Sequence, residues 1–228
     1  MYELSNQSIG PSAFHMPTVV EKTPTGERWM DIPSLLLKSR IVMLHGAVSD
    51  ELAYAVKAQL MYLDSLSSDD IEVHIHSPGG SVYAGYVIVD QIKQCRSNVM
   101  TICSGYAASM GCFILSAGTR GKRFATPRSA VMAHQVISGG NRASFQDLRV
   151  DFEHTANLNK QLMVELAANV GQDYDQFMLD CDRDKWINAK EALNYGEYGF
   201  IDGIIPDVTD ETRGKSVLDR VIRRGGSI

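Results

Sequence analysis

Three residue types that together make an activated nucleophile occur in order along this chain: Ser109, His134 and an aspartate of the run Asp180-Cys181-Asp182-Arg183-Asp184. Ser109 lies in Gly105-Tyr106-Ala107-Ala108-Ser109-Met110-Gly111, small residues that open an apolar, helix-like stretch, Cys112-Phe113-Ile114-Leu115. A serine at a helix N-terminus stands beside backbone N–H groups that no helical carbonyl uses. Those donors, with the positive end of the helix dipole, can hold a developing oxyanion. His134 ends the short apolar run Val131-Met132-Ala133. An imidazole there can take the serine proton, and a carboxylate can fix the orientation of the ring. Residue types alone admit other roles: serine is a common N-cap, and a histidine at a strand end can simply be a satisfied polar group. There is no Gly-x-Ser-x-Gly elbow, and the order Ser, His, Asp is not that of the α/β-hydrolases. Composition does not choose among Asp180, Asp182 and Asp184.

A second stretch can supply donors. Ile71-Glu72-Val73-His74-Ile75-His76 alternates apolar and polar as a half-buried strand does, and runs straight into Ser77-Pro78-Gly79-Gly80-Ser81. Proline and paired glycines force a sharp turn whose bare backbone can aim an N–H at a ligand. A purely structural turn fits the same residues. A phosphate-cradling loop does not, because neither Gly-x-Gly-x-x-Gly nor Gly-Lys-Ser/Thr is present.

The elements that must hold these residues alternate. Residues 40–44 read as a strand and 50–63 as a helix with Leu52, Val56, Leu60 and Leu63 on one stripe. The strand from Ile71, a helix over Val82 to Ile92, a strand over Asn98 to Cys103 and the Ser109 helix follow. This βαβ succession predicts an α/β fold with a largely parallel sheet. It sets Gly80 and Ser109 just past the C-terminal ends of neighbouring strands, where open α/β sheets bind ligands. After a turn at Ser138-Gly139-Gly140-Asn141-Arg142, helical spacing runs from about Phe145 to Asn169 through Leu148, Phe152, Ala156, Leu158, Leu162, Met163 and Leu166, with Gly171 as its stop. An ordinary core-facing helix is one reading of that stripe.

At 228 residues, with 44% apolar and 21% charged residues, the chain has the composition of a globular protein able to bury a full core. A net charge of −5 without a basic cluster speaks against a nucleic-acid partner, and Arg220 to Arg224 reads as a solvated tail. Four cysteines without C-x-x-C or metal spacing predict free thiols, and His74 and His76 lack a third ligand, so neither metal nor cofactor is expected. No signal-peptide pattern and no run near the ~20 apolar residues of a membrane span is present. The expectation is a cytoplasmic protein without a membrane partner.

Taken together, Ser77-Pro78-Gly79-Gly80, Ala107-Ala108-Ser109-Met110-Gly111, Met132-Ala133-His134-Gln135 and Arg183-Asp184-Lys185-Trp186 resemble the signatures of the proteolytic subunits of Clp proteases. Gly26-Glu27-Arg28, Leu36-Leu37-Lys38, Gly118 to Phe124 and Glu191 to Gly196 add to the resemblance, which covers about residues 17–206. It implies a spiral of β-β-α units shared with the crotonases, with the long helix protruding as a handle between rings. It further implies a serine endopeptidase, with Ser109 as nucleophile, His134 as base and Asp184 as orienting acid. The N–H groups of Gly80 and Met110 would form the oxyanion hole, and Ser81, Val82, Gly139 and Gly140 would lie along the substrate. Partners implied are other copies in heptameric rings stacked in pairs, a Clp-family ATPase unfoldase and polypeptide substrates. Residues 1–16 correspond to a propeptide or axial-loop segment, 17–206 to one peptidase domain and 207–228 to a C-terminal tail.

The chain departs from the family on one face. Positions that usually carry aromatic residues of the ATPase docking pocket are Glu72 and His74, and apolar contributors are replaced at Gln94 and Ser104, while Ile102 and Phe124 stay apolar. The proline that commonly follows His-Gln is Val136. Two other classes stay open: a catalytically silent ring subunit, and a crotonase-type acyl-CoA enzyme that would need no serine–histidine pair.

Overall fold

The computed structural model of the chain describes residues 18–24, 26–139, 144–215 and 217–223. The expected N-terminal segment 1–16, Gly140, Asn141, Arg142 and Arg224 lie outside the described residues. A hairpin of β1 (Thr18–Thr23) and β2 (Gly26–Asp31) opens the structure, followed by α1 (Ile32–Lys38). Then β3 (Ile41–His45), α2 (Asp50–Leu66), β4 (Ile71–Ser77), α3 (Val82–Gln94), β5 (Val99–Ala108), α4 (Met110–Ser116), β6 (Arg123–Ala125) and β7 (Ala130–Ala133) follow. The long helix α5 (Phe145–Val170), α6 (Tyr174–Asp180), β8 (Lys185–Asn188), α7 (Ala189–Asn194), β9 (Gly203–Ile204), α8 (Val217–Arg220) and β10 (Ile222–Arg223) complete it.

The result is a mixed α/β fold. One path through the main sheet runs β10-β9-β6-β5-β4-β3, and β7 pairs with both β5 and β8. The pairs β3/β4, β4/β5, β5/β6, β5/β7 and β6/β9 are parallel. β5 is the pivot: Thr101 to Cys103 pair with β6, whereas Tyr106 to Ala108 pair with β7. The strand predicted to stop at Cys103 therefore continues to the residue before Ser109, because its second half finds a different partner.

The alternation of β4 is real, with Ile71, Val73 and Ile75 buried and Glu72, His74 and His76 half-buried. Ala53, Val56, Leu60 and Leu63 of α2 are buried, and Leu52 packs against the core. Gly171 ends α5 in the left-handed conformation, at φ 68° and ψ 43°. The apolar stripe of α5 is not one surface. Phe152 and Leu148 are exposed, but Leu162, Met163 and Leu166 are buried in the core, so only the first half of the helix offers a free apolar face.

Arg123 locks two helix ends and a turn to the sheet. Its guanidinium, 2% exposed, pairs with Asp202 at 2.7 Å and donates to the carbonyls of Ser116, Asn169 and Tyr198. These include the last carbonyls of α4 and α5, which helix geometry leaves without N–H partners. The segment expected as a tail after residue 206 returns to the sheet. β10 pairs with β9, Val221 packs on the cluster of Met100, Ile102 and Phe124, and Arg223 lies over the Phe124 ring and donates to the Gly121 carbonyl. Arg220 likewise donates to the Pro206 carbonyl, so these arginines are anchored rather than simply solvated.

Candidate active site

Parallel pairing of β4 and β5 brings the ends of both strands to one edge of the sheet, and the turn Ser77 to Gly80 lies against the start of α4. Contact there is tight: a Cβ on Gly79 would stand 2.5 Å from Ser109 Cβ, and one on Gly111 would stand 3.0 Å from the Ser77 carbonyl oxygen. Gly79, which also has φ +87°, leaves no room for a side chain, and Gly111 leaves little.

Ser109 occupies the N-cap position of α4, yet its hydroxyl makes no capping hydrogen bond. Its backbone is at φ 55°, ψ −123°, a region that costs a non-glycine residue about 1–3 kcal/mol. The conformation is held from both sides, with Ser109 N donating to the Met132 carbonyl at 2.9 Å and Phe113 N donating to the Ser109 carbonyl. A serine that served only as a cap would show neither the strain nor the idle hydroxyl.

Two amides beside it are unpaired among the described residues. Met110 is the first residue of α4, so its N–H has no helical acceptor. Gly80 bridges Val48 in parallel fashion, Val48 N donating to the Gly79 carbonyl and Ser81 N to the Val48 carbonyl, each at 2.8 Å. That pattern turns the N–H of Gly80 itself away from Val48.

Strand register delivers the other two side chains. β7 runs parallel to the second half of β5, with Ala108 level with Met132, so His134 follows just past Ser109. β7 and β8 are antiparallel with Ala133 opposite Lys185, which makes His134 and Asp184 the next opposed pair. His134 Nδ1 lies 3.8 Å from Asp184 Oδ1, with the imidazole 13% and the carboxylate 61% exposed. Asp180 is engaged elsewhere, accepting from Tyr195 Oη at 2.5 Å and from Gln176 Nε2 at 3.0 Å. These bonds, opposing the effect of burial, hold its carboxyl below the ordinary carboxylate range. Asp182 is exposed, and among the described residues its carboxylate meets only Arg183, at 3.9 Å. Of the three, Asp184 is the one whose carboxylate lies beside the His134 imidazole among the described residues.

Ser109, His134, Asp184, Gly80 and Met110 line one cavity of about 380 Å³. Val82 lines it as well, but Ser81 does not; the Ser81 hydroxyl caps α3 by accepting from Ala84 N. Gly139, in irregular structure, is not among the residues that line it. That wall instead includes Met132, Val136, Ile137, Leu162 and Leu166, of which sequence reasoning assigned none to the site. The apolar Val136-Ile137 after His134 was the available signal. Asn159 of α5 pins this segment, accepting from Val136 N at 2.8 Å and donating to Gln135 Oε1.

The thiol of Cys181, behind the Asp184 loop, is pushed up to about 11 by burial, and that of Cys112 is raised well above its usual value for the same reason. All four cysteines are free. Among the described residues, no group of three or more His, Cys, Asp or Glu side chains is arranged to hold a metal ion, and no helix is long and apolar enough to cross a membrane.

Comparison with known proteins agrees with this architecture. The family model described as Clp protease matches residues 24–208. The proteins named ATP-dependent Clp protease proteolytic subunit from three Streptococcus thermophilus strains, LMD-9, CNRZ 1066 and LMG 18311, are each 44% identical over 192 residues. The alignment spans 83% of this chain and 96% of each relative.

Proposed function

Because the chain belongs to the Clp protease family, we propose that Ser109 is its nucleophile, His134 its general base and Asp184 the carboxylate that orients the imidazole. The protein is a serine-type endopeptidase, the proteolytic subunit of an ATP-dependent protease, with the α/β fold of that family. The observation that carries the residue assignment is the convergence, in one cavity, of an uncapped serine hydroxyl, a histidine facing a carboxylate and two unpaired amides.

Asp184 faces Nδ1 of His134, which favours a proton on that nitrogen and leaves Nε2 as the base. His134 takes the Ser109 proton as Oγ attacks a peptide carbonyl carbon, and the oxyanion forms beside the Gly80 and Met110 N–H groups. The imidazolium then protonates the leaving amine, the C–N bond breaks, and an acyl-enzyme remains. Water, deprotonated by the same imidazole, cleaves the ester and restores the serine. The 3.8 Å His134–Asp184 separation is compatible with this role, since catalytic contacts are often long in the free enzyme. The apolar wall of the cavity suits an apolar substrate side chain.

A Clp protease subunit works within an oligomer and with an ATPase partner. We infer heptameric rings stacked in pairs through the exposed first half of α5, a cytoplasmic location, and weak docking of a standard unfoldase. The last rests on the outward face of β4, where Glu72 and His74 pair with each other at 3.2 Å in the row that also holds Met43, Ile102 and Phe124. The test of the central reading is hydrolysis of a fluorogenic peptide by wild type, Ser109→Ala, His134→Ala and the double variant. Each single change should remove nearly all activity without disturbing assembly, and the double should be no worse than either single. Thioesterase or hydratase activity surviving Ser109→Ala would point to the crotonase-type alternative.

A further inference from the structure

β4 and β5 carry the two halves of the site, and their pairing changes register just before both. From Ile71↔Val99 to Ile75↔Cys103 the offset is constant, but the next pair is Ser77↔Ala107. A single residue of β4, His76, therefore stands opposite Ser104, Gly105 and Tyr106 of β5. Such a bulge deprives the longer side of ladder partners, and here Ser104 and Tyr106 are half-buried and Gly105 exposed.

The His76 side chain fills that gap. Its Nδ1 lies 3.0 Å from the Ser104 carbonyl oxygen and 3.4 Å from Tyr106 N. One tautomer donates to the first and the other accepts from the second. The ring packs edge-on against Tyr106 at 4.5 Å between centroids, and a Cβ on Gly105, which has φ +81°, would stand 2.5 Å from Nδ1.

The shift decides which residue meets the Gly79-Gly80 turn. On the earlier offset Ala107 would be level with Gly79; on the observed one it is Ser109, consistent with the close approach of Gly79 to Ser109 Cβ. Two residues of strand amount to about 6.6 Å. We propose that His76 is a positioning residue for acyl transfer, holding the bulge that sets Ser109 level with the oxyanion turn. This rests on the reading of Ser109 as nucleophile.

The test compares wild type, His76→Ala, His76→Leu and His76→Asn as assembled protein, measuring kcat and KM on a short fluorogenic peptide and the rate of inactivation by a fluorophosphonate. Leucine keeps bulk without a hydrogen-bonding atom, whereas asparagine can donate to the Ser104 carbonyl and accept from Tyr106 N. Alanine and leucine should lower kcat and the inactivation rate by about 10- to 100-fold, the scale of a 1 Å misplacement, with KM nearly unchanged because the cavity wall is untouched. Asparagine should restore most of both rates. Wild-type kcat in His76→Leu, a rise in KM alone, or equal losses in the leucine and asparagine variants would overturn the proposal. The leucine–asparagine pair decides the matter if His76→Ala does not fold. A wild type untouched by the reagent overturns the Ser109 reading itself, a result that needs no variant and so stands apart.

Discussion

Replacing the three neighbouring aspartates one at a time separates the carboxylate proposed to serve chemistry from one that serves the fold and one that serves neither. Asp180 accepts from Tyr195 Oη and Gln176 Nε2 and lies 3.6 Å from Lys185 Nζ. Asp180→Ala removes the acceptor of the half-buried Tyr195 hydroxyl, a loss of about 1–3 kcal/mol. For a chain of this size that lowers Tm by about 2–4 °C per kcal/mol. Asp184 has no hydrogen bond or ion pair among the described residues except its approach to His134, so Asp184→Asn should leave Tm in place. Its cost falls on kcat instead. Replacing an orienting aspartate by its amide has cost ~10⁴-fold in a serine protease, about 5.4 kcal/mol of barrier. Here the contact is 3.8 Å and the carboxylate 61% exposed, so screening should reduce the loss to about 10²–10³-fold. Asp182→Asn should change neither quantity. The assay is kcat and KM on a fluorogenic peptide beside thermal melts of the same preparations. Wild-type kcat in Asp184→Asn, or the same loss in Asp182→Asn, would refute the assignment.

Three further outcomes can be checked. A hydrogen bond from Ser97 N at 2.8 Å, with Arg96 adding, holds the Asp64 carboxyl below its usual value, so its contribution is present above the unfolded value of ~3.9 and fades as pH falls through the folded one. Melts from pH 7 to pH 3 should therefore show Asp64→Asn less stable at neutrality and less sensitive to acid than wild type; parallel curves would contradict this. Phe152→Asp, on the exposed half of α5, should reduce particle mass in sedimentation without lowering the subunit's helix content, whereas Leu162→Asp, in the core, should unfold the subunit. Introducing Tyr at positions 72 and 74 together should strengthen ATP-dependent degradation of a tagged folded protein by a generic unfoldase several-fold, an apolar anchor commonly being worth at least ~2 kcal/mol; no change would show that this face does not govern docking.

Local pattern carried much of the fold. Alternation in β4, the stripe of α2 and the stop at Gly171 are set by neighbours in sequence, and each stands where the pattern put it. What pattern could not supply was register. Asp184 is the residue that stands opposite His134 across β7 and β8, and composition alone does not single it out from Asp180 and Asp182. The same holds for β5, whose second half changes partner, and for His76, which is one more polar position in an alternating strand until the bulge is seen. In α5, Phe152 and Leu162 satisfy one helical period, yet one is exposed and the other 5% exposed, because only the second half of the helix lies on the core. Leu162 and Leu166 also reach the cavity wall, a role that depends on how α5 crosses the site rather than on its own sequence.

The most direct measurement is the site of covalent attack. Treating the assembled protein with a fluorophosphonate should add one adduct per chain, mapped by peptide mass spectrometry to Ser109, with peptide hydrolysis falling in step and no adduct on Ser109→Ala. An adduct on another residue, or hydrolysis that persists in Ser109→Ala, would contradict the account.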